Sequence, residues 1–210
     1  MGDENVAVIE DLVTANRILA QQGVLDGYGH VSARCADEPS NYYIGDATPP
    51  GNVRAANVFR WDLEGQPVNH DRPTYRERAI HSQIYRARSD VKAVVHCHAP
   101  ELIPFGAGGI PLRPIYHMAG FQGADPLPVF EIRDLFGPET DMLIVSNEQG
   151  EALARSLGDR PVVLMRGHGA TIVGDSVRQA GALCRLRGAQ RPHRDPDAAA
   201  WGEAELHQRR

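Results

Sequence analysis

Two histidines one residue apart, His96 and His98, are the strongest chemical signal in this sequence. They end an apolar run, residues 91–96, that is typical of a buried β-strand. Alternate residues of a strand point to the same face, so the two imidazoles are able to meet at one point. The spacing therefore predicts half of a metal site; the alternative is a pair of hydrogen-bonded histidines at a strand end.

A third histidine, His168, follows a second apolar segment, residues 161–165, and lies between Gly167 and Gly169. The glycines allow the backbone to turn sharply and allow another group to approach closely. A lone histidine in a loop is usually a solvated side chain. A metal-binding role for His168 is therefore indicated only because the other strand end already offers two histidines. Three histidines with one open coordination position are a common design of catalytic metal sites.

Glu77 has two interpretations. Together with Thr74 it matches a capping box at the start of a predicted helix, residues 74–87, where the glutamate would only satisfy the backbone. His81 lies one turn later on the same helix face, which predicts either a supporting partner of the site or a surface residue. Cys97 points to the strand face opposite the two histidines, so we predict that it packs in the core.

Hydrophobic periodicity predicts helices that alternate with short strands. Turn signals between some of the strands favour hairpins, so the pattern predicts a mixed α/β domain in which helices cover one sheet. The predicted helices cover residues 3–22, 74–87 and 147–157, with another from Asp175, and the predicted strands cover residues 42–44, 58–61, 91–96, 111–117 and 161–165.

The composition suits one domain of 210 residues and excludes some partners. With 22 basic against 27 acidic residues, a net charge of −5 and 6% aromatic residues, the chain has no basic or stacking surface for nucleic acid. No apolar run approaches the roughly 20 residues that span a bilayer, which predicts no membrane partner. Three widely spaced cysteines without a CxxC pair, together with an acidic N-terminus, predict a cytoplasmic protein with reduced thiols.

The C-terminal part differs in composition from the rest. We predict a domain over residues 1–180, followed by an atypical segment, residues 181–210, that is rich in Arg, Gly and Pro. Such a segment has too few apolar side chains to order itself, so it is predicted to be poorly ordered.

Glu77, His81, the triplet at residues 96–98 and the segment at residues 166–169 together resemble the class II aldolase/adducin superfamily. The resemblance runs from the first helix to about Ala180. It implies a single class II aldolase-like domain with a central mixed or antiparallel sheet flanked by helices. It also implies homotetramers with active sites at subunit interfaces, provided that the atypical C-terminus permits this assembly.

The same resemblance assigns roles to the candidate site residues. It implies that Glu77 is the catalytic acid/base and that one divalent ion, Mn²⁺ or Zn²⁺ with Fe²⁺ as an alternative, is bound by His96, His98 and His168. Sugar-phosphate aldolases of the family carry two serines before the glutamate, which help to hold the phosphate. Here these positions are Tyr75 and Arg76.

This departure makes the chain look closer to the family's decarboxylase branch, typified by enzymes acting on 3,4-dihydroxyphthalate and on 3-hydroxy-2-methylpyridine-4,5-dicarboxylate. Residues 75–78, 103–106, 113–118 and 165–169 are the segments that resemble this branch. The leading hypothesis is therefore a metal-dependent lyase that decarboxylates a hydroxy-aromatic dicarboxylic acid, a small-molecule carboxylate. The metal would act as a Lewis acid and Glu77, or a water that it holds, would protonate the ring carbon. An arginine would hold the second carboxylate, and the predicted substrate contacts are His30, Ser32, Tyr75, Arg76, Arg113 and His117.

Three alternatives remain. A class II aldolase that cleaves a 2-hydroxy carbonyl compound would use the same metal site with a different substrate anchor. A non-catalytic interaction module of the adducin type is disfavoured because all three histidines are present. An iron-dependent oxygenase is the weakest alternative, since three nitrogen ligands with an open position also suit iron.

Overall fold

A computed structural model describes residues 2–113, 117–123 and 125–188 of this chain. Seven strands form one sheet in the order β3-β2-β1-β4-β7-β6-β5. The strands are β1 (His30–Arg34), β2 (Asn41–Gly45), β3 (Val58–Asp62), β4 (Ala93–Cys97), β5 (Val129–Phe130), β6 (Val162–Met165) and β7 (Gly169–Gly174). The helices are α1 (Asp3–Gln21), α2 (Arg78–Ala87), α3 (Ile103–Gly108), α4 (Arg133–Phe136), α5 (Asn147–Leu157) and α6 (Val177–Gly188), and short 3-10 helices cover Pro50–Asn52, Ala55–Asn57 and His117–Gln122.

The sheet is mixed, as predicted. β4 lies at its centre and pairs antiparallel with β1 on one side and with β7 on the other. β6 and β7 form an antiparallel hairpin, and β5 pairs parallel with β6. The ends of β1, β4 and β7 therefore lie side by side, although they come from three distant parts of the chain.

The two faces of the sheet carry separate cores. Side chains such as Val31, Val95 and Ile172 belong to the core that includes α1 and α6. On the opposite face, Val94 and Val173 pack with residues of α2 and α5, including Ile80. This alternation along each strand places the intervening polar residues of β1, β4 and β7 on the α2/α5 face.

Several element boundaries differ from the predictions. The strand predicted at residues 111–117 is wrong at its described ends, because residues 111–113 have no regular structure and His117 begins a 3-10 helix; residues 114–116 lie outside the described part. A proline at position 111 cannot donate a ladder hydrogen bond. β1 and β7 are strands that periodicity did not identify, since each is short and carries polar or glycine residues among its apolar ones.

The C-terminal helix continues beyond the predicted boundary at residue 180. α6 runs to Gly188, with Cys184 fully buried and Leu183 packed against the core. These two side chains supply the apolar contacts that order this turn of helix. The rest of the predicted atypical segment, residues 189–210, lies outside the described residues, so the division of the chain at this point stays a prediction.

No helix in the described ranges has both the length and the apolar character needed to cross a membrane. Cys35, Cys97 and Cys184 are buried, and none of them forms a disulfide bond within the described residues. Cys97 belongs to the α1/α6 core, on the sheet face opposite His96, as its place in the strand predicts.

Gly150 allows α5 to cross closely over α2. A Cβ at this position would lie 2.5 Å from the Ala79 carbonyl oxygen and 2.8 Å from Gln83 Cγ. We expect Gly150→Ala to lower the free energy of unfolding by about 1–3 kcal/mol, because the two helices must separate. Gly181→Ala is the matched control: its added Cβ would lie 3.9 Å from Ala15 Cβ, an ordinary contact, and we expect it to be neutral or stabilising by up to about 1 kcal/mol. Urea unfolding of both variants is the measurement, and equal effects would contradict the close crossing.

Candidate metal and active site

Four predicted residues converge at one end of the central strands of the sheet. Glu77, His96, His98 and His168 each offer one ligand atom, and these atoms all lie within 4.8 Å of one another. His96 Nε2 and His98 Nε2 are 3.0 Å apart. Glu77 Oε2 lies 3.6 Å from His96 Nε2 and 3.4 Å from His168 Nε2. The geometry therefore brings a carboxylate and three imidazoles to one point.

Local backbone structure explains how the histidines reach this point. His96 is the fourth residue of β4 and lies on the α2/α5 face, and His98 follows the strand directly. His168 lies in the β6–β7 hairpin, where Gly167 has a φ of +67°. A Cβ at Gly169 would lie 2.1 Å from the Cys97 carbonyl oxygen, so only glycine lets β7 pair this closely with the end of β4.

Two of the histidines are oriented by an acceptor behind the ring. His98 Nδ1 lies 3.1 Å from both carboxylate oxygens of Asp26. His168 Nδ1 lies 2.9 Å from the Met142 carbonyl oxygen. An Nδ1–H that donates to such a partner leaves Nε2 as the lone-pair nitrogen, and in both rings Nε2 faces the centre.

The His96 ring also has an acceptor near its Nδ1, at a longer distance than in the other two histidines. Its Nδ1 lies 3.5 Å from Thr171 Oγ1, and this hydroxyl donates toward Met165 Sδ at 3.4 Å, which leaves its oxygen free to accept. All three rings can therefore present an unprotonated Nε2 to one point. Three such nitrogens with a carboxylate are a donor set that suits a divalent transition-metal ion.

Glu77 is ionised in this setting. Burial by itself would raise the pKa of its carboxyl, but the facing His168 and His96 imidazoles outweigh burial and hold the pKa well below its ordinary value. Burial works against the charged form of His168 too, and Glu77 nevertheless raises the pKa of that ring. Glu77 Oε1 accepts a hydrogen bond from the Ile144 N–H at 2.9 Å, which leaves Oε2 as the oxygen directed at the histidines.

The predicted capping box of Thr74 and Glu77 is wrong. α2 begins at Arg78, four residues later than predicted, and the Glu77 side chain makes no capping hydrogen bond. Thr74 Oγ1 instead donates to the Gly45 carbonyl oxygen at 2.6 Å. The tertiary contacts with Ile144 and the histidines therefore hold the Glu77 carboxylate away from the helix start.

A cavity of about 880 Å³ opens over the cluster. Three of the predicted substrate-binding residues line it: His30, Tyr75 and Arg76. The Tyr75 hydroxyl donates to the Thr48 carbonyl oxygen at 2.6 Å, so this ring is fixed in the wall. The Arg76 side chain is 73% exposed, and its nearest ion-pair partner, Asp141, is 4.0 Å away.

The other three predicted substrate contacts are not among the residues that line this cavity. Ser32 is fully buried and bonds to His81 and to Tyr85, so direct substrate contact is a wrong prediction for it. Arg113 and His117 are exposed, and they flank residues outside the described part of the chain. His81 is fully buried, which corrects its alternative placement at the surface.

Sequence reasoning missed the groups that hold the Nδ1 atoms of the three histidines. Asp26 had a recognisable signal, since it precedes the glycine-rich stretch at residues 27–29 and its Oδ1 accepts from the N–H groups of Tyr28 and Gly29. Thr171 and the Met142 carbonyl had none, because neither residue type is distinctive at its position.

The family model of the class II aldolase and adducin N-terminal domain matches residues 10–186. The match covers most of the chain, so the chain belongs to this family. Its fold and its cluster of carboxylate and imidazole groups agree with that membership.

Relatives with named activities include two decarboxylases. Decarboxylase tropJ of Talaromyces stipitatus is 35% identical over 185 residues, which cover 82% of this chain and 69% of that protein. The 3,4-dihydroxyphthalate decarboxylase of Rhodococcus jostii is 32% identical over 79% of this chain and 70% of its own length. Among solved structures, an aldolase II superfamily protein from Pseudomonas syringae superposes with a TM-score of 0.73 at 24% identity, over 98% of this chain and 86% of that one. The chain is accordingly an enzyme of the carbon–carbon lyase class.

Proposed function

We propose that this chain is a divalent-metal-dependent decarboxylase of a hydroxy-aromatic dicarboxylic acid. The observation that carries the proposal is the cluster of Glu77, His96, His98 and His168 at a cavity whose wall also presents the Arg76 side chain. The names of two relatives, a decarboxylase and a 3,4-dihydroxyphthalate decarboxylase, support this chemistry over aldol cleavage.

The three histidines would hold the metal ion, Mn²⁺ or Zn²⁺. When bound, such an ion supplies Lewis-acid stabilisation for the negative charge that develops as carbon dioxide leaves. The chain supports this role by fixing each Nδ1–H on Asp26, Met142 or Thr171, so that the ligand nitrogens are already oriented.

Glu77 moves the proton. Its Oε1 is held by the Ile144 N–H, so Oε2 is the reactive oxygen. Because the carboxylate is ionised, Oε2 first takes the proton of the ring hydroxyl. The carbon–carbon bond then breaks, carbon dioxide leaves with its electron pair left on the ring carbon, and Oε2 returns the proton to that carbon. The ring oxygen recovers a proton from solvent when the product departs.

The direct test is a carbon dioxide release assay on metal-loaded protein. Hydroxy-aromatic dicarboxylates such as 3,4-dihydroxyphthalate should be turned over with release of one carbon dioxide. Pentulose and deoxyhexulose phosphates should not be cleaved by the same preparation. Cleavage of a sugar phosphate, with no carbon dioxide released from any aromatic acid, would favour the aldolase instead.

Arg76 is proposed to hold the carboxylate that stays on the ring. Charge-assisted hydrogen bonds are worth about 1.5–3 kcal/mol, so Arg76→Ala should raise KM for a dicarboxylate by about 10–100-fold. KM for the matching monocarboxylate should change by less than about threefold, since the lost partner is missing there. Arg72→Ala is the matched control, an exposed arginine of the same segment that does not line the cavity. An equal increase in KM for both acids would mean that Arg76 does not bind the second carboxylate.

We also propose that the chain assembles into a homotetramer and acts in the cytoplasm. A homotetramer would bring further residues to the open side of the cavity, and the side chains of Arg113 and His117 are exposed. The buried residues Cys35, Cys97 and Cys184 form no disulfide bond within the described part of the chain, which suits a reducing, cytoplasmic setting. Size-exclusion chromatography with light scattering would test the first of these proposals.

A further inference from the structure

A chain of buried hydrogen bonds leads from the α2/α5 core to the cavity. The Tyr85 hydroxyl is 2.8 Å from Ser32 Oγ, and Ser32 Oγ is 2.6 Å from His81 Nδ1. His81 Nε2 is in turn 2.7 Å from His30 Nδ1. All four side chains are at most 1% exposed, yet His30 also borders the cavity. The metal cluster and the proton transfer by Glu77 use none of these groups.

The Tyr85 hydroxyl determines which group donates in each hydrogen bond of the chain. Ser32 Oγ is the only side-chain group in the described part of the chain that bonds to the Tyr85 hydroxyl, and a buried hydroxyl proton without an acceptor is costly. The Tyr85 proton therefore points to Ser32. The Ser32 hydroxyl must then donate to the remaining neighbour, His81 Nδ1.

The same order of donor and acceptor continues through His81 and His30 to the cavity. Burial lowers the pKa of His81 to about 3, so the ring is neutral. With Nδ1 accepting from Ser32, its single proton lies on Nε2 and is donated to His30 Nδ1. Because His30 Nδ1 accepts this hydrogen bond, it carries no proton, and the proton of the His30 ring lies on Nε2.

We infer that the Tyr85–Ser32–His81 chain fixes His30 as a hydrogen-bond donor that presents Nε2–H to a carboxylate or phenolate oxygen of the substrate. Nδ1 of His30 points at His81, and the described residues provide no partner for Nε2, whereas the ring lines the cavity. A protonated nitrogen cannot bind a metal ion. The chain therefore also keeps His30 out of the ligand set, although its ring centroid is only 5.2 Å from that of His96. In these terms His30 is a substrate-binding donor, and Ser32 and His81 are positioning residues.

This inference rests on the proposed function for the identity of the ligand, but its first test does not. Two-bond ¹H–¹⁵N correlation spectra of the full-length ¹⁵N-labelled protein distinguish the two neutral tautomers of each histidine. His30→Gln identifies the His30 signals. We expect one neutral tautomer with the proton on Nε2, both without metal and with Zn²⁺ added. A proton on Nδ1, or a mixture of both tautomers in the wild-type protein, would overturn the inference whether or not any acid is decarboxylated.

Ser32→Ala tests the positioning role. It removes the donor to His81 Nδ1, so the His30 proton should distribute between both nitrogens. KM for 3,4-dihydroxyphthalate and the dissociation constant of phthalate, a probe without hydroxyls, should each rise about tenfold, with kcat within about threefold. Ser32→Thr retains the hydroxyl and should restore the single tautomer.

Ser82→Ala is the matched control, because Ser82 follows His81 in α2 and is fully buried but takes no part in the chain. Its Oγ donates to the Ala79 carbonyl oxygen at 3.5 Å and accepts from Gln83 Nε2 at 3.3 Å. In Ser82→Ala, we expect the tautomer of His30 and the KM for 3,4-dihydroxyphthalate to equal those of the wild-type protein. An unchanged tautomer in Ser32→Ala, or equal losses in Ser32→Ala and Ser82→Ala, would contradict the positioning role. If Ser32→Ala does not fold, the wild-type spectrum still decides the direction of the chain.

Discussion

Glu77→Gln is expected to lower kcat by about 10²–10⁴ while the fold and the bound metal are retained, since that is the usual contribution of a general acid/base. The glutamine side-chain oxygen is still able to accept the Ile144 N–H that Glu77 Oε1 accepts at 2.9 Å. It has no titratable oxygen to take up and return a proton. Turnover of 3,4-dihydroxyphthalate, together with metal content and thermal unfolding of the same preparation, makes the comparison.

Two outcomes would contradict this assignment in different ways. Activity within about tenfold of wild type would mean that Glu77 transfers no proton in the rate-limiting step. Loss of the metal in parallel with turnover would make Glu77 a fourth ligand, which its distances of 3.4 and 3.6 Å from two histidine nitrogens also suit. Glu64→Gln is a suitable control, because Glu64 is an exposed glutamate paired with Arg86 outside the cavity.

Removal of a histidine ligand is expected to abolish both stoichiometric metal binding and turnover. The wild-type chain should bind one Zn²⁺ or Mn²⁺ ion, and the bound ion should raise the thermal unfolding midpoint because it binds only the folded state. His98→Ala should lower affinity more than a hundredfold, beyond the range of about 10–100-fold that is typical of losing a group behind a ligand. Calorimetric titration and elemental analysis would measure these effects.

Asp26→Asn is expected to reduce metal affinity less than removal of a histidine does. Asp26 contacts His98 Nδ1 through both oxygens, so its replacement should weaken binding within the smaller range of about 10–100-fold. His70→Ala is the control for a histidine outside the cluster, since His70 Nε2 bonds to the Arg60 carbonyl oxygen. Full metal occupancy in His98→Ala would end the three-histidine assignment. Equal losses in His98→Ala and His70→Ala would point to unfolding.

The convergence of the three histidines was predictable because their placement depends on local backbone geometry. The i, i+2 spacing of His96 and His98 brings two rings to one side of a strand end whatever the rest of the fold does. The glycines around His168 likewise indicate a tight turn and a close approach, which Gly167 and Gly169 both show. The family resemblance joined these two local patterns into one site, and the sheet order, with β4 beside β7, brings them together.

The helix start around Glu77 shows where local patterns fail. Thr74 and Glu77 have the spacing of a capping box, which is a local preference worth about 1 kcal/mol. In the folded chain the Glu77 carboxylate instead bonds to Ile144 and faces His96 and His168. The Ile144 N–H and the two facing imidazoles together outweigh one cap, but these partners lie 19 to 91 residues away in sequence.

From its short segments alone, the chain allowed a prediction of the fold class and of three converging histidines, because strand alternation and glycine conformation are local properties. The family resemblance was needed to add Glu77 to the candidate site. The groups that orient the histidines depend on tertiary contacts. Asp26, Thr171 and the Met142 carbonyl are ordinary residues until the sheet brings them behind the ligands. Ser32 and His81 likewise became buried partners of His30 because β1 packs against α2. Hydrogen bonds between distant segments depend on three-dimensional register, and no periodicity along the chain encodes that register.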